Sequence, residues 1–241
     1  MASSGNFCTL NPLSTKGPTL SRGNIRADST FYWATYYGTI ALPTSGKWYA
    51  ECRTPNISGP DASFPMGIQD AQFLTYLGDK TSNGNPQYIG MATSTAGEGY
   101  SIYTHANGTY SKKYHNNSSS DTSLAKGANG DIYQIAVDLD NNKLWFGKNN
   151  TWDQSNPSGN GTATYTITNK SYVMGGSASS SEYHIWNFGQ DSTFGGGVSA
   201  GGNADDNGFG DFKYSPPTGF LAVCTANLPI SDDIDPAQTD D

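Results

Sequence analysis

The stretch DIYQIAVDLDNNKLWFGKNNTW, residues 131–152, contains a run of alternating apolar and polar residues and an aromatic run, which meet at an Asp-Asn-Asn segment. Asp138, Asp140 and Asn142 stand at alternate positions, as the first oxygen ligands of a calcium loop do. A loop of the EF type would also need Gly at its sixth position and Glu at its twelfth, and this stretch has Lys and Asn there. Because Asp and Asn tolerate the left-handed backbone of tight turns, the stretch predicts two β-strands joined by a hairpin.

The composition extends the prediction of strands to the whole chain. The 241 residues include 29 Gly, 12 Pro and 15 Tyr, and only 14% of them are charged, which is typical of a turn-rich β protein. Strand-like periodicity recurs in short runs such as KWYAECR (47–53), SYVMGG (171–176) and GFLAVCT (219–225). We therefore predict an all-β fold, a two-sheet antiparallel β-sandwich with a C-terminal extension.

Charge and hydropathy limit the environments in which the chain can work. The formal net charge of −8 and the absence of a basic stripe argue against binding to nucleic acid. No apolar run approaches the ~20 residues that span a bilayer, so membrane insertion is not expected. The first residues, MASSGNFCTL, lack the charged and apolar regions of a signal peptide, so we expect synthesis in the cytoplasm without export. Cys8, Cys52 and Cys224 form an odd, widely spaced set, which predicts buried free thiols.

Several motifs follow the order found in SPRY (B30.2-like) domains. They are SGKWYAECR (45–53), MGIQD (66–70), the aromatic hairpin within 129–152, and YVMGGSASSSEYHIWNFGQ (172–190) with its late Asn-Phe-Gly. The chain resembles this family over roughly residues 30–190. The resemblance implies a bent, concanavalin-like jelly-roll sandwich, and a domain that binds partners and is not usually an enzyme.

The two ends of the chain narrow the resemblance. NFCTLNPLSTKGPTLSRGNI near the start, and NFGQDSTF with DDNGFGDFKYSPPTGFLAVCTANLP near the end, resemble segments that flank SPRY-like domains in virion proteins of tailed bacteriophages. This implies a virion surface protein, a capsid decoration, head fibre or tail-associated spike, whose partners are other virion proteins. We expect a docking arm at 1–28, the sandwich at 29–195, and a Gly-rich loop, final strand and acidic tail at 196–241. The predicted docking residues, apolar or Pro-rich, are Phe7, Leu10, Tyr214, Pro216, Pro217 and Phe220.

Two other functions stay open, a receptor-binding adhesin for a host-surface glycan or protein and a polysaccharide depolymerase. Glycoside hydrolysis needs two carboxylates that face each other across a cleft. The only glutamates, Glu51, Glu98 and Glu182, show no paired spacing, which leaves a pair of aspartates as the remaining route. The histidines have no metal-ligand spacing either. We therefore predict a binding protein without enzymatic activity and without a cofactor other than calcium.

One segment is a better candidate for calcium than the hairpin. In Asn203-Ala-Asp205-Asp-Asn207-Gly208 the oxygen-bearing side chains alternate, a Gly stands at the sixth position, and Asp211 stands at the ninth. Tyr214 replaces the bidentate Glu at the twelfth position, so the segment predicts an irregular calcium loop and not an EF-hand. The alternative is a polar loop whose side chains cap their own backbone.

Loops at one end of the sandwich, especially residues 57–63 and 116–130, are predicted to hold a partner, since rigid scaffolds present binding residues on loops. Tyr100, Tyr103, Tyr110 and Tyr114 lie on one predicted hairpin, either packed inside or displayed to a partner. The predicted partner-binding residues are Trp152, Asp153, Tyr110, Tyr114, Asp61 and Phe64.

Overall fold

Two antiparallel sheets pack face to face in the computed structural model, which describes residues 5–13, 18–29, 34–57, 65–76, 88–90, 97–103, 108–178 and 182–229. One sheet has nine strands in the order β1 (Thr19–Ser21), β2 (Arg26–Asp28), β14 (Tyr183–Asn187), β4 (Lys47–Asn56), β9 (Asp131–Asp138), β10 (Lys143–Lys148) and β11 (Thr151–Trp152), with β12 (Tyr165–Thr166) beside β10 and β15 (Leu221–Ala222) beside β4. The other has six, in the order β3 (Ala34–Tyr37), β13 (Tyr172–Ala178), β5 (Pro65–Asp70), β6 (Gly99–Tyr103), β7 (Tyr110–His115) and β8 (Ser118–Ala125). Two 3₁₀ helices, Ala71–Tyr76 and Thr225–Asn227, complete the described elements. The all-β sandwich is confirmed.

The hairpin of β9 and β10 has the predicted form. Lys143 pairs with Asp138 across it, and Asn142 adopts the left-handed backbone of the turn with φ 55°. Leu139 is buried in the core between the sheets. Asp138 lies on the opposite face, where it accepts the backbone N–H of Asn141 at 2.9 Å and pairs with the Lys47 ammonium at 3.0 Å. The hairpin is therefore scaffold, as the strand periodicity predicts.

Both faces of the nine-stranded sheet are covered. Its inner face supplies alternate residues such as Tyr133, Ile135 and Val137 to the main core. Its outer face, which carries Tyr49 and Trp145, packs against residues that follow β14 in the chain. The cluster on this outer face comprises Tyr49, Ala136, Trp145, Phe212, Phe220, Ala222 and Cys224. We call residues 205–229 the strap, because they form the covering layer.

The described residues of the N-terminal segment pack on the sandwich, and a docking role for residues 1–28 stays a prediction. β1 and β2 extend the nine-stranded sheet beyond β14. Phe7 forms a backbone bridge with Cys224 of the strap, and Leu10 forms one with Gly38 beside β3. The described residues of this segment are therefore held by hydrogen bonds to both sheets.

The C-terminal extension adds the predicted final strand, although this strand is shorter than the run 219–225. Leu221 and Ala222 pair in parallel with Trp48 and Tyr49, beside the part of β4 that β14 does not reach. Main-chain pairing joins the extension to β4, so residues 196–229 are continuous with the sandwich. The predicted acidic tail lies outside the described residues.

The sequence predicts a loop over residues 116–130, but the structure contains β8 there. Asn116 and Asn117 both have a left-handed backbone, with φ of 48° and 56°, and turn the chain from β7 directly into β8. A two-residue turn with both residues left-handed matches the twist of the strands on either side of it. The serine-rich composition of β8 hides this strand from a periodicity analysis.

Two further expectations concern the cysteines and the membrane. Cys8, Cys52 and Cys224 are buried free thiols, as predicted, and burial raises the pKa of Cys8 to about 11. Within the described parts of the chain, no helix has the length and apolar character that crossing a bilayer requires.

Candidate interaction surface

The outer face of β6, β7 and β8 carries a group of tyrosines. Tyr110, Lys112 and Tyr114 alternate along β7 and therefore share this face. Tyr103 joins them from β6, with its ring centroid 6.5 Å from that of Tyr114. Tyr110 is 44% exposed, whereas Tyr103 and Tyr114 are partly buried. These residues, with Tyr88, are called the tyrosine surface below.

Tyr88 reaches this face from a segment that has no strand of its own. Its ring centroid lies 5.4 Å from that of Tyr114. The Ser101 hydroxyl on β6 donates to the carbonyl of Ile89 at 2.9 Å and so holds the segment against the sheet. Burial raises the pKa of Tyr88, and its hydrogen bond with Tyr114 raises it further, so its hydroxyl stays protonated at physiological pH. The sequence gives no signal for this residue, because NPQYIG has no strand periodicity.

Polar groups border the tyrosines on the side of β8. The Lys112 ammonium lies 3.9 Å from the carboxylate of Asp121, which pairs with it across the two strands. The Tyr114 hydroxyl donates to the side chain of Asn117 at 2.8 Å. Aromatic rings with a hydrogen-bonding rim are typical of surfaces that bind proteins, and they also suit the apolar faces of sugars.

Tyr100 does not belong to this surface, although it lies on the same hairpin as Tyr114. Its side chain points into the core, where its ring stacks on His115 with centroids 4.1 Å apart. The Tyr100 hydroxyl donates to Glu98 at 3.1 Å. The four tyrosines of the predicted hairpin are therefore divided between the two faces of the sheet.

The other predicted partner-binding residues differ in burial and position. Trp152 is partly buried against the outer cluster of the nine-stranded sheet. Asp153 is buried, and one of its oxygens accepts both the backbone N–H and the hydroxyl of Ser123 at 2.8 Å. It therefore joins the end of β11 to the edge strand β8 and is not presented to a partner, which corrects the prediction. Asp61 and Phe64 lie outside the described residues.

Asp205 in the predicted calcium loop is buried and accepts hydrogen bonds through both carboxylate oxygens. One oxygen accepts the backbone N–H groups of Asn207 and Phe209, at 3.0 and 2.9 Å. The other accepts the N–H of Ala222 and the side-chain amide of Asn227, both at 2.8 Å. Asp205 therefore caps backbone N–H groups, as in the alternative of a polar loop that binds its own backbone. Its bonds to Ala222 and Asn227 also join the loop to the end of the strap.

The remaining residues of this loop also bind the backbone. Asp211 accepts the N–H groups of Ser192 and Gly202, at 3.4 and 3.1 Å, and Asn203 donates to the carbonyl of Phe212 at 3.2 Å. Among the described residues, no group of three or more His, Cys, Asp or Glu side chains is arranged to hold a metal ion. Calcium at this loop stays a prediction.

Solved structures with a similar fold include SPRY domains. The structure entitled TRIM65 PSpry domain matches 75% of this chain and 92% of its own length, with a TM-score of 0.53 and 14% sequence identity. The SPRY domain of human HERC1 matches 69% of this chain and 90% of its own length, with a TM-score of 0.47 and 14% identity. Neither the protein-family models nor the curated proteins contain a match to the chain. The chain has the SPRY fold.

Three of the six predicted docking residues contribute to the interior of this SPRY fold. Leu10, Pro217 and Phe220 are buried, and Phe220 packs edge-to-face on Trp145 with ring centroids 6.1 Å apart. They stabilise the chain itself, so a docking role for them is corrected. The three that are only partly buried are Phe7, Tyr214 and Pro216.

Glu51, on the outer face of β4, binds the strap at Lys213 and Tyr214. The backbone N–H groups of Lys213 and Tyr214 donate to its two oxygens, at 2.9 and 2.8 Å. The Tyr49 hydroxyl and the Asn187 side chain donate as well, at 3.0 and 3.2 Å. Burial raises the pKa of Glu51 to about 7, although all four hydrogen bonds act to lower it. The sequence places Glu51 in a strand but does not predict that it binds the strap, because Lys213 and Tyr214 are distant in the chain.

Proposed function

We propose that this chain is a non-enzymatic surface protein of a tailed-bacteriophage particle that attaches to a virion protein through the tyrosine surface. The exposure of Tyr110, at 44%, on a rigid sheet and beside other tyrosines is the observation that carries this proposal. Tyrosine is enriched in protein interfaces because its ring offers contact area and its hydroxyl a hydrogen bond, at a small entropic cost. The particle setting rests on the resemblance of the terminal segments to those of phage virion proteins.

The roles of the buried carboxylates favour binding over catalysis. Glu51, Asp153 and Asp205 each accept backbone N–H groups, which are needed to hold separate segments of the chain together. Both oxygens of Glu51 and of Asp205, and the Oδ1 atom of Asp153, are thereby committed to the fold. The SPRY resemblance likewise implies a module that binds partners.

The tyrosine surface also supports a second candidate, an adhesin that recognises a host-surface glycan or protein. Tyrosine ring faces can pack on the apolar faces of sugar rings, and Asn117 and Asp121 at the rim can bind hydroxyl groups. The number of copies on a particle separates the two candidates. A decoration occurs in numbers close to those of the capsid protein, whereas a tail adhesin occurs in small multiples.

The test uses purified particles of the phage that encodes the chain. Quantitative mass spectrometry gives its copy number relative to the major capsid protein, and its absence from the particles would exclude both candidates. Particles that lack the chain are then mixed with the purified protein and sedimented. We expect the double variant Y110S/Y114S to bind at least ~10-fold more weakly, since interface aromatics commonly contribute 1.4 kcal/mol or more. Leu13→Ser is the matched control, because Leu13 is 80% exposed and lies away from this surface.

A further inference from the structure

Arg53 lies at a position that neither the fold nor the tyrosine surface uses. It follows Tyr49 and Glu51 at alternate positions of β4 and therefore shares the outer face of the nine-stranded sheet with them. Its guanidinium group reaches the rim of that face between two turns. Its Nη2 atom lies next to Gly130, 3.6 Å from where a Cβ atom would stand, and its Nη1 atom lies against Gly197.

The guanidinium group of Arg53 has no partner in the described structure. The chain contains three arginines. Arg22 donates to the carbonyl of Gly195 at 2.9 Å, and Arg26 binds Asp28. For Arg53, in contrast, no described residue accepts a hydrogen bond, and its Nε atom is buried. Because buried N–H donors are nearly always paired, the buried Nε–H of this partly exposed guanidinium group indicates a place for an acceptor from outside the chain.

The nearest carboxylates are engaged elsewhere. Glu51, two residues earlier on the same face, accepts hydrogen bonds from Tyr49, Asn187 and the strap. Asp131, beside the turn at Gly130, pairs with the Lys148 ammonium at 3.2 Å. The positive charge of Arg53 is therefore not neutralised by an ion pair within the described chain.

The chemistry of the two turns defines the kind of acceptor that fits. Gly195, Gly196 and Gly197 use their N–H groups internally, on Asp191, on the Thr193 hydroxyl and on the Thr193 carbonyl. No backbone nest is thus left for the several oxygens of a phosphate group. The guanidinium group alone supplies donors, and its parallel N–H bonds match the two oxygens of a planar carboxylate. We propose that Arg53 is the centre of a carboxylate-binding site between residues 128–130 and 194–197.

The glycine at position 197 is the second component of this site. A Cβ atom there would collide with Nη1 of Arg53, so the absence of a side chain is what admits the guanidinium group. At the adjacent Gly196 a Cβ atom would meet nothing within 4 Å, but the φ of 80° at this position strains the backbone of any residue other than glycine. Substitution of these two neighbours by alanine therefore separates crowding of the guanidinium group from a general effect on the turn.

The experiment follows the three arginine Nε–H signals by ¹⁵N NMR while sodium acetate is added at constant ionic strength against sodium chloride. We expect the Arg53 signal to shift and saturate, with a dissociation constant on the order of millimolar for so small a ligand. The Arg22 and Arg26 signals serve as internal controls, because their guanidinium groups already have partners. A non-saturating shift, or equal shifts of all three signals, would overturn the proposal. So would binding of sodium phosphate as tight as that of acetate.

Three variants make the assignment specific, and thermal melting confirms that each is folded. Arg53→Lys keeps the charge but loses the paired N–H donors, so acetate binding, followed by the Gly197 amide signal, should weaken at least ~10-fold. Gly197→Ala should weaken it similarly, whereas Gly196→Ala, which strains the turn without crowding Arg53, should weaken it less. Wild-type affinity in folded R53K would overturn the role of Arg53, and wild-type affinity in G197A would overturn the position of the site. N-acetyl-glutamate amide shows whether the site also accepts the carboxylate of a protein side chain. Binding that matches that of acetate assigns the site to acidic residues of a partner. Failure to bind restricts it to small carboxylic acids such as acetate.

Discussion

The outer faces of the two sheets differ in what covers them. On the nine-stranded sheet, all eight residues of β9 are buried, because the strap packs over the strands around it. On the six-stranded sheet, the outward residue Tyr110 of β7 (YSKKYH) stays 44% exposed. β9 (DIYQIAVD) is more apolar than β7, and the strap adds a covering layer over its outer face, so both the local sequence and a distant segment contribute to the difference in burial. The covered outer face of the nine-stranded sheet stabilises the fold, whereas the outer face of the six-stranded sheet is accessible at Tyr110.

At the covered face of the nine-stranded sheet, Gln134, Glu51 and Asp205 each find hydrogen-bond partners within the chain. Gln134 on β9 donates to the Tyr49 hydroxyl at 3.2 Å and accepts the N–H of Asn150 at 2.7 Å. Glu51 and Asp205 satisfy backbone N–H groups of the strap and its loop. Because an unpaired buried group costs about 1–3 kcal/mol, the strap and the sheet face depend on each other.

The strongest test of this difference is removal of an aromatic ring beneath the strap. Phe212 is buried and packs edge-to-face on Tyr49, with ring centroids 5.0 Å apart. We expect Phe212→Ala to lower the free energy of unfolding by about 3–5 kcal/mol, because a large cavity replaces the ring. Urea denaturation followed by tryptophan fluorescence measures this change.

The matched control is Leu13→Ala, which should change the free energy of unfolding by less than ~0.5 kcal/mol, because Leu13 is 80% exposed. A loss below ~1 kcal/mol in F212A would show that the strap adds little to the fold. Deletion of residues 215–241 would be a poor test of docking, since it removes the buried Phe220 and Ala222.

The next largest effect is expected at Asp205. In Asp205→Ala four donors lose their acceptor, two of them backbone N–H groups of the loop itself. We expect a loss of about 2–4 kcal/mol in the free energy of unfolding. Melting with calcium chloride and with a chelator tests the calcium prediction in the same experiment. A rise in the wild-type melting temperature with calcium that is absent in D205A would support a bound ion. The same wild-type melting temperature with calcium and with the chelator would argue against one.

Two buried titratable groups on opposite faces of the nine-stranded sheet predict opposing pH effects. Burial raises the pKa of Glu51 from 4.5 to about 7, so its contribution to stability is present below pH 4.5 and is lost as the pH rises through 7. Burial lowers the pKa of His184 from 6.5 to about 3, so its contribution is present above pH 6.5 and is lost as the pH falls towards 3. Between pH 4.5 and 6.5 the two slopes oppose each other, at about 1.4 kcal/mol per unit each.

Glu51→Gln separates the two effects. The variant is expected to be less stable at every pH, because its amide group faces backbone donors of the strap. It should also lose stability steeply as the pH falls from 6.5 to 4.5, whereas the wild type changes little. Urea denaturation at half-unit pH intervals gives both profiles. Parallel profiles would show that Glu51 does not titrate in this range.

The smallest effect is expected on the open face. Lys112 and Asp121 form an exposed ion pair at 3.9 Å, and such pairs contribute about 0–1 kcal/mol. Asp121→Asn should therefore change the free energy of unfolding by less than ~0.5 kcal/mol, as measured by urea denaturation. A loss comparable to that of F212A would mean that the two faces do not differ as described.

Local patterns in the sequence predict the parts of the fold that depend on neighbours in the chain. The hairpin of β9 and β10 and the burial of Leu139 follow from alternation and from turn residues that tolerate a left-handed backbone. β8 is missed because its serines and threonines have the composition of a loop. Its strand character comes from the turn at Asn116 and Asn117 and from pairing with β7.

The candidate sites were harder to predict, because their members come from distant segments. Tyr110 and Tyr114 lie on the outer face of β7, where the sequence left open whether they are packed inside or displayed, and Tyr88 joins them from a segment without periodicity. Asp153 and Phe220 have the residue types of a binding surface, yet they are buried by β8 and the strap. Alternation shows that two residues share a face, but only the packing of remote segments decides whether that face meets water.

The pairing of the two ends of the described chain has a consequence for biosynthesis. Cys8 donates its N–H to the carbonyl of Val223 at 2.8 Å, and Thr225 donates to the carbonyl of Asn6 at 2.9 Å. A ribosome releases residues 6–8 long before it has made residues 223–225, so this edge stays unpaired while the sandwich between them is synthesised. Contacts between such distant residues form slowly and leave strand edges exposed in the meantime. This pairing therefore forms only once residues 223–225 have left the ribosome, after the strands that they help to cover.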